Sequence, residues 1–276
     1  MTWIPRALLL LVLLLAVFAD QIASSEPLLE TDSWTIAAPI RANPTDVRTE
    51  GRLAVLRPPS GLHLLGTDDR GRDVAARLVH GSRPTLVIAA CTALLASLVA
   101  ILLALVASTK PWLDRLVMAG CDVIAAVPVL LLVVVVRGLL GGGGLLALIL
   151  FISVPRAAGT ARLVREQLRA ALAMPYCEAA SALGLSQFRV LWRHALPASF
   201  SQIKTAAALT ASTAVLAEVA LSFLGLGLGG DMPSWGELMR QAHENQLAWW
   251  LLVPAGLATS GFAWSLSSQF SGNRRA

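Results

Sequence analysis

Residues able to do acid–base or coordination chemistry are sparse in this chain and fall in three places. One is a single acid, Glu218, inside the apolar run Thr205 to Leu224. A carboxylate is costly to keep charged in hydrocarbon, so it either serves a polar pathway or accepts hydrogen bonds from a neighbouring helix. A second is TDDRGRD, Thr67 to Asp73, where three aspartates and two arginines surround Gly71. Those residue types supply caps and turn bonds, so Asp68, Arg70, Arg72 and Asp73 are read as organisers of an external mouth or as an interfacial clasp. The third is EAASALGLSQFRVLWRHALP, Glu178 to Pro197, a polar, Arg-bearing stretch wedged between apolar spans. His63, His80, His194 and His243 are scattered singly, and Cys91, Cys121 and Cys177 have no close pairing, so no metal cluster or disulfide framework is indicated. The Gly141 to Gly144 run lacks the lysine of a phosphate-binding loop. The chain is therefore expected to have no catalytic residue and to bind no metal, nucleotide or other cofactor itself.

The elements that must position these groups are membrane helices. Of the residues, 56% are hydrophobic and 14% charged, with a mean hydropathy of +0.68, far from the roughly 25% charge of a soluble domain. An all-α integral membrane protein in a lipid bilayer is expected, because so apolar a chain must satisfy its backbone internally. Apolar runs cover Ala7 to Ala19, Leu86 to Ala107, Val117 to Val136, Leu145 to Val154, Thr205 to Leu224 and Trp249 to Leu266, predicting about six transmembrane helices. The fourth is interrupted by Pro155 and Arg156, and reaches spanning length by extension back through Gly141 to Gly144 or forward past Gly159. The first also fits a secretory signal, with Arg6 ahead of it and a small residue before Asp20. Retention is favoured because Trp3 and Ile4 extend the run and an even number of spans returns the chain inside. The expected division is 1–22, first helix; 23–85, external loop and interfacial helix; 86–270, a five-helix core with a cytoplasmic loop 156–204; and 271–276, a cytoplasmic tail.

Basic residues set the orientation. Arg156, Arg162, Arg165, Arg169, Arg189, Arg193 and Lys204 stand against only Glu166 and Glu178, whereas Gly225 to Ala248 has Arg240 against Asp231, Glu237 and Glu244. The Glu178 loop is therefore predicted inside, with both termini cytoplasmic. This also accounts for the net charge of +5 without nucleic acid, since the arginines lack an aromatic-interleaved stripe.

Locally, Glu178 to Leu183 are helix formers, Gly184 permits a turn, Ser186 can cap a second helix, and Pro197 is expected to stop it. Three-and-four spacing puts Phe188, Leu191 and Trp192 on one face and Arg189 and Arg193 on another, a helix suited to a partner's groove. Asp73 is expected to open an amphipathic helix lying along the membrane before Leu86, with Val74, Leu78 and Val79 on its apolar side. Prolines at 27, 39, 44, 58, 59 and 84 argue against a packed core between Asp20 and Pro84. Gly225, Gly227, Gly229 and Gly230 let the fifth span unwind at the outer surface as a flexible gate, and Pro233 with Trp235 anchors the adjoining loop at the interface.

Glu178, Ala179 and Ala180, then Gly184, and the Arg193, His194, Leu196, Pro197 ending resemble the EAA loop of permease subunits in bacterial ABC importers, in its dipeptide, oligopeptide and nickel subgroup. LHLLGTDDRGRD, with Leu64 in place of a usual Trp, and LSFLGLGLGGDMPSW are similar to two further motifs of that subgroup. ARLVR, Ala161 to Arg165, looks like its entry to the cytoplasmic loop. The subgroup's Gly-Asp-x-Leu-Arg-Asp tail is absent, since the chain closes with FAWSLSSQFSGNRRA. The resemblance implies a type I importer permease in the bacterial cytoplasmic (inner) membrane. Its partners would be a second paralogous permease, an external substrate-binding protein, and two ATPase subunits that carry ATP and Mg and perform hydrolysis. Glu178, Ala179, Ala180, Gly184, Arg189, Arg193, His194, Leu196 and Pro197 would couple to those ATPases. The cargo would be di- or oligopeptides, or alternatively nickel or a metal chelate. An ATP-independent ion-coupled carrier centred on Glu218 is the reading from a different class.

Overall fold

The computed structural model describes residues 3–31, 34–46, 49–50, 52–53, 55–128, 131–132, 134–135, 144–229 and 232–269. It is mostly helical. Helix α1, Trp3–Val17, and a short α2, Ala19–Ile22, precede two antiparallel hairpins, β1 Pro27–Thr31 with β2 Trp34–Ala37 and β3 Thr49–Glu50 with β4 Arg52–Leu53. Then come α3, Val74–Ala107; α4, Pro111–Ala126; α5, Leu145–Leu172; α6, Pro175–Ala182; α7, Gln187–Val190; a π-helical turn, Leu191–Ala195; α8, Leu196–Ala198; α9, Phe200–Phe223; α10, Trp235–Glu244; and α11, Trp249–Ser268. Among the described residues, α3, α5 and α9 are long and apolar enough to cross a membrane, and α1 is apolar but shorter.

The expected interfacial helix ahead of Leu86 is corrected. Asp73 does cap a helix, its carboxylate accepting from the Ala76 N–H at 2.9 Å, but that helix runs on unbroken for 34 residues with Pro84 inside it. At 1.5 Å per residue it is about 50 Å long. Ser82 donates to the Val79 carbonyl and Thr85 to the Gly81 carbonyl at 2.9 Å, on either side of the His80 carbonyl that Pro84 leaves without its usual N–H. The expected break at Pro155 and Arg156 is also absent. Helix α5 continues through Pro155 for 28 residues, and Ser153 donates to the Ile149 carbonyl at 2.6 Å. The forward extension past Gly159 is the one found, so residues 156–172 of the expected loop are helical.

Helix α3 lies at the centre, packed most extensively on α5 and then on α9. Its residues Ile88, Thr92, Ala96, Ala100 and Ala104 recur every fourth position and are buried, one stripe of mainly small side chains that lets α5 approach closely. At one end, Val74, Val215, Trp235, Leu238, Leu251 and Phe262 join α3, α9, α10 and α11. At the other, Ala104, Val164, Leu168, Leu191, Leu196 and Ile203 join α3, α5 and the segment entering α9.

The segment Asp20 to Pro84, expected to be unpacked, is partly pinned to α3. Ala19, Ala23 and Ala42 pack on Ala76 and Val79; His80 bonds the Ala23 carbonyl at 2.8 Å, Arg77 the Pro44 carbonyl at 3.2 Å, and Arg83 the Ala16 carbonyl at 2.6 Å. Alanine contacts of this kind leave little trace in a hydropathy pattern. Much of the third apolar run past Pro128, Gly141 to Gly143, Gly230, Asp231 and the end containing Arg274 and Arg275 lie outside the described residues.

Candidate functional site

The polar stretch between α5 and α9 folds as an elbow. Pro175 opens α6, where a missing N–H and a fixed φ do no harm. Helix α6 ends at Gly184, whose φ of +86° is left-handed and whose N–H bonds the Ser181 carbonyl at 3.0 Å, while the Leu185 N–H reaches back to Ala180 at 3.2 Å. Ser186 sits at the start of α7 with extended backbone, but its hydroxyl makes no capping bond, contrary to expectation. Pro197 does not stop the helix. The π turn before it widens the backbone spiral, and Pro197 falls in the first turn of α8, where no N–H is needed.

This geometry divides the face predicted from spacing. Leu191 is buried, whereas Phe188 is 66% and Trp192 56% exposed. The three-and-four spacing ceases to hold once the chain enters the π turn, and Val190 takes the inward place beside Cys177 and Ala180. Glu178, Ala179, Gly184, Arg189, Arg193 and Pro197 are exposed, His194 is half-buried, and Ala180 and Leu196 face inward. Leu183, at the tip of the elbow, is 85% exposed. The elbow therefore roots itself through small and aliphatic residues and presents acid, arginines and aromatics outward.

Below the elbow, sequence reasoning missed an ion-paired seam. Asp114 on α4 receives both Arg165 and Arg169 of α5, the latter at 2.6 Å, and Asp122 pairs with Arg162. The signal in the sequence is a set of arginines three and four apart on α5 facing aspartates eight apart on α4, and the same arginines also serve as the orientation cue that hides it. Gln187 also donates to the Ser108 carbonyl at 3.1 Å, tying α7 to the α3–α4 turn.

At the opposite end, the four expected mouth residues separate. Asp68 is fully buried and accepts from the Arg70 and Arg72 N–H groups at 2.9 Å and from the Arg72 side chain at 2.7 Å, with Arg77 at 3.5 Å. Asp73 bonds His63 Nδ1 at 2.8 Å besides its cap. Asp68, Arg72 and Asp73 thus form a closed clasp, which Trp250 joins by donating to the Thr67 carbonyl at 3.2 Å. Burial, reinforced by the Asp68 charge, pushes the neighbouring Asp69 carboxyl up. Sequence does not attach His63 and Arg77 to the clasp, since no local spacing links them to the aspartates they meet.

Arg70 instead lines a cavity of about 590 Å³ with Gly225, Gly227, Glu237, Arg240 and His243. Burial alone would raise the Glu237 carboxyl, but bonds from Arg240 and Gln241 outweigh it and hold the group below its ordinary value. Gly225 turns with φ +76°, and a side chain at Gly227 would run into Ser222. Beside this cavity Glu218 is fully buried, its Oε1 accepting from Ser222 at 2.7 Å and Ser234 at 2.9 Å. Ser234 also accepts from the Gly236 N–H at 3.2 Å as the cap of α10, so Glu218 fastens the end of α9 to the start of α10. Among the described residues, no group of three or more His, Cys, Asp or Glu side chains is placed to hold a metal.

Comparison with known proteins adds to this geometry. Residues 81–268 match the family described as binding-protein-dependent transport system inner membrane component. A putative peptide transport system permease protein of Brucella suis is 30% identical over 258 residues, 92% of this chain and 79% of the relative. The di/tripeptide transport system permease protein DppC of Pseudomonas aeruginosa is 32% identical over 222 residues, 78% of this chain and 73% of the relative. The glutathione transport system permease protein GsiD of Pectobacterium atrosepticum is 32% identical over 190 residues, 68% of this chain; the match spans 63% of that relative, just under two thirds of its length.

Proposed function

This chain belongs to the family of binding-protein-dependent transport system inner membrane components, and from that premise we propose that it forms half of the translocation pathway of an ATP-driven peptide importer and receives the ATPase stroke through its elbow. In this reading the chain spans the bacterial inner membrane about six times, in the 1–22, 23–85, 86–270 and 271–276 division, with both termini cytoplasmic. It binds no cofactor itself. A second, paralogous permease completes the pathway, an external binding protein delivers cargo, and two ATPase subunits hold ATP and Mg and carry out hydrolysis. The peptide assignment is supported by what the relatives are named for: peptides, di- and tripeptides, and glutathione.

One observation carries the coupling role. Leu183, Phe188 and Trp192 stand exposed at the tip of an elbow whose other side is fixed by Cys177, Ala180, Val190 and Leu191. Clustered exposed apolar side chains on a rigid mount are the signature of a docking surface, and each large side chain buried there contributes about 1.5–3 kcal/mol. Arg189 and Arg193 flank the apolar pair and suit acidic residues on a groove. Rigid rooting makes displacement of the tip useful. The elbow runs through the π turn and α8 toward α9, and through Gln187 to the α3–α4 turn, so motion of the ATPases is delivered to two helices of the bundle. Coupling then requires the groove to hold the elbow differently in its open and closed states.

Purification in mild detergent, followed by an ATPase assay with binding proteins loaded with peptide, tests this reading. The expected result is recovery of a second permease and ATPase subunits, with hydrolysis stimulated by the loaded protein. A chain that purifies alone, with peptide uptake indifferent to ATP, rules it out.

A further inference from the structure

Helix α5 carries an arginine that nothing among the described residues neutralises. Arg156 lies 11 residues beyond Leu145, about 16 Å along a helix that is long and apolar enough to cross a membrane. Among the described residues it makes no hydrogen bond or ion pair, and its Nε is buried without a partner. The described acids on the helices packed around α5 are engaged or exposed elsewhere. Asp114 holds Arg165 and Arg169, Asp122 holds Arg162, Glu166 holds Arg165, and Glu218 accepts from Ser222 and Ser234 through Oε1, its buried Oε2 making no bond to Arg156. Glu178 is exposed on the elbow, and helix α3 has no acid at all. An unpaired guanidinium on such a helix is by default a functional site, and its charge suits an anion.

The surroundings define that site. Arg156 borders a groove of about 460 Å³ between α5 and α9, lined also by Gly159, Thr160, Leu209, Thr210 and Thr213. Its volume is in the range of small-molecule sites. Nothing lies within 4 Å of where a Gly159 side chain would begin, so this wall of the groove is open. Thr210 donates its proton to the Ala206 carbonyl and Thr213 to the Leu209 carbonyl, both at 2.9 Å. The Thr210 oxygen already meets the Thr160 hydroxyl at 3.4 Å and keeps one lone pair, and the Thr213 oxygen keeps its acceptor sites for N–H groups. The groove thus offers a fixed positive charge at one point and hydroxyl acceptors along the facing helix.

We propose that the α5–α9 groove is a peptide-binding subsite of this chain, with Arg156 pairing the C-terminal carboxylate and Thr210 and Thr213 accepting from the peptide's amide or ammonium N–H groups. The occupant is a solute rather than an acid of another subunit, because a lone carboxylate would use Arg156 and leave the Thr213 acceptor unused, whereas a short peptide engages both. This inference rests on the peptide-importer reading and names the residues that recognise the cargo within it.

The test uses the complete complex of this chain with its partner permease and ATPases, without binding protein, and measures equilibrium binding of Ala-Ala and of Ala-Ala amide. The native complex is expected to bind Ala-Ala about tenfold or more tightly than the amide, as loss of one charge-assisted contact in a desolvated site implies. Arg156→Gln should remove that preference by weakening only Ala-Ala, Arg156→Lys should restore part of it, and Thr213→Val should weaken both peptides. Equal binding of the two by the native complex, an unchanged preference in Arg156→Gln, or failure of Arg156→Gln but not Arg156→Lys to assemble with the partner permease would each overturn the subsite. Peptide uptake by the native complex, reconstituted with its binding protein, separates the two levels. Uptake without discrimination at Arg156 removes the subsite alone, whereas absence of uptake removes the peptide reading and the subsite with it.

Discussion

The two ends of the bundle treat their polar residues in opposite ways. At the clasp, Asp68, Arg72, Asp73, His63 and Arg77 are buried and face one another; at the elbow, Glu178, Arg189 and Arg193 are exposed, with aromatics between them. Charges withdrawn from water are held by their partners, and the chain's shape depends on them. Charges and aromatics left in water at a rigid tip contribute little to that shape and remain available to another molecule. The difference predicts that substitutions at the clasp change stability first, and that substitutions at the elbow change function first.

The largest effect should come from Asp68→Ala. It takes from the buried Arg72 and Arg77 side chains the acid that they share, and removes the acceptor for two backbone N–H groups. Breaking such a buried pair from one side costs about 3–5 kcal/mol, so the variant should be recovered in low yield with a clearly lowered melting temperature in detergent. A melting temperature equal to that of the native protein would mean that the clasp is not structural.

Next is Gly184→Arg. The position is left-handed, so any side chain costs about 1–2 kcal/mol of backbone strain, yet the space around it is open and there is no clash to add. Membrane insertion should survive while recovery of the ATPase subunits and uptake are lost. Normal uptake in this variant would remove the elbow as a lever. A milder version is Phe188→Ala with Trp192→Ala. Both side chains are more than half exposed, so the melting temperature should stay within about 1–2 °C of the native value, since surface changes fall within roughly 0.5 kcal/mol. ATPase capture should fall by about tenfold or more, as for aromatic anchors of an interface. A drop in stability with unchanged capture would reverse the comparison between the two ends.

How much of this is legible in the sequence depends on the range of the interactions. The turn at Gly184 and the cap at Asp73 are set by residues within four positions and can be read directly. The continuity of α3 and α5 through Pro84 and Pro155 cannot, because proline is a strong local break signal and the helix packing that overrides it is not local. A 3.6-residue period assigns Phe188 and Trp192 to the same face as Leu191, and the π turn abolishes that period. The clasp aspartates are visible as turn formers, but His63 and Arg77 join them only through the fold. Arg156 counts in the sequence as a flanking charge; only the continuity of α5 places it inside a helix long enough to span, and only the fold shows that no described acid reaches it.

The smallest predicted effect tests whether partial exposure, rather than charge pairing as such, decides the outcome. Asp20 of α2 receives two bonds from Arg83 at 2.9 Å, which hold its carboxyl below the ordinary value, yet it is 66% exposed. Because the folded-state pKa is depressed, the contribution is fully present above the unfolded carboxyl value near 3.9 and is lost as pH falls through the lower folded value. For so exposed a pair that contribution is a few tenths of a kcal/mol. Asp20→Asn should therefore lower the melting temperature by about 1 °C or less at pH 7, with the difference from the native protein shrinking as the pH falls below the unfolded carboxyl value. A loss approaching that of Asp68→Ala would show that the Asp20–Arg83 link belongs with the clasp in its energetics, and that exposure does not separate the structural charges from the free ones.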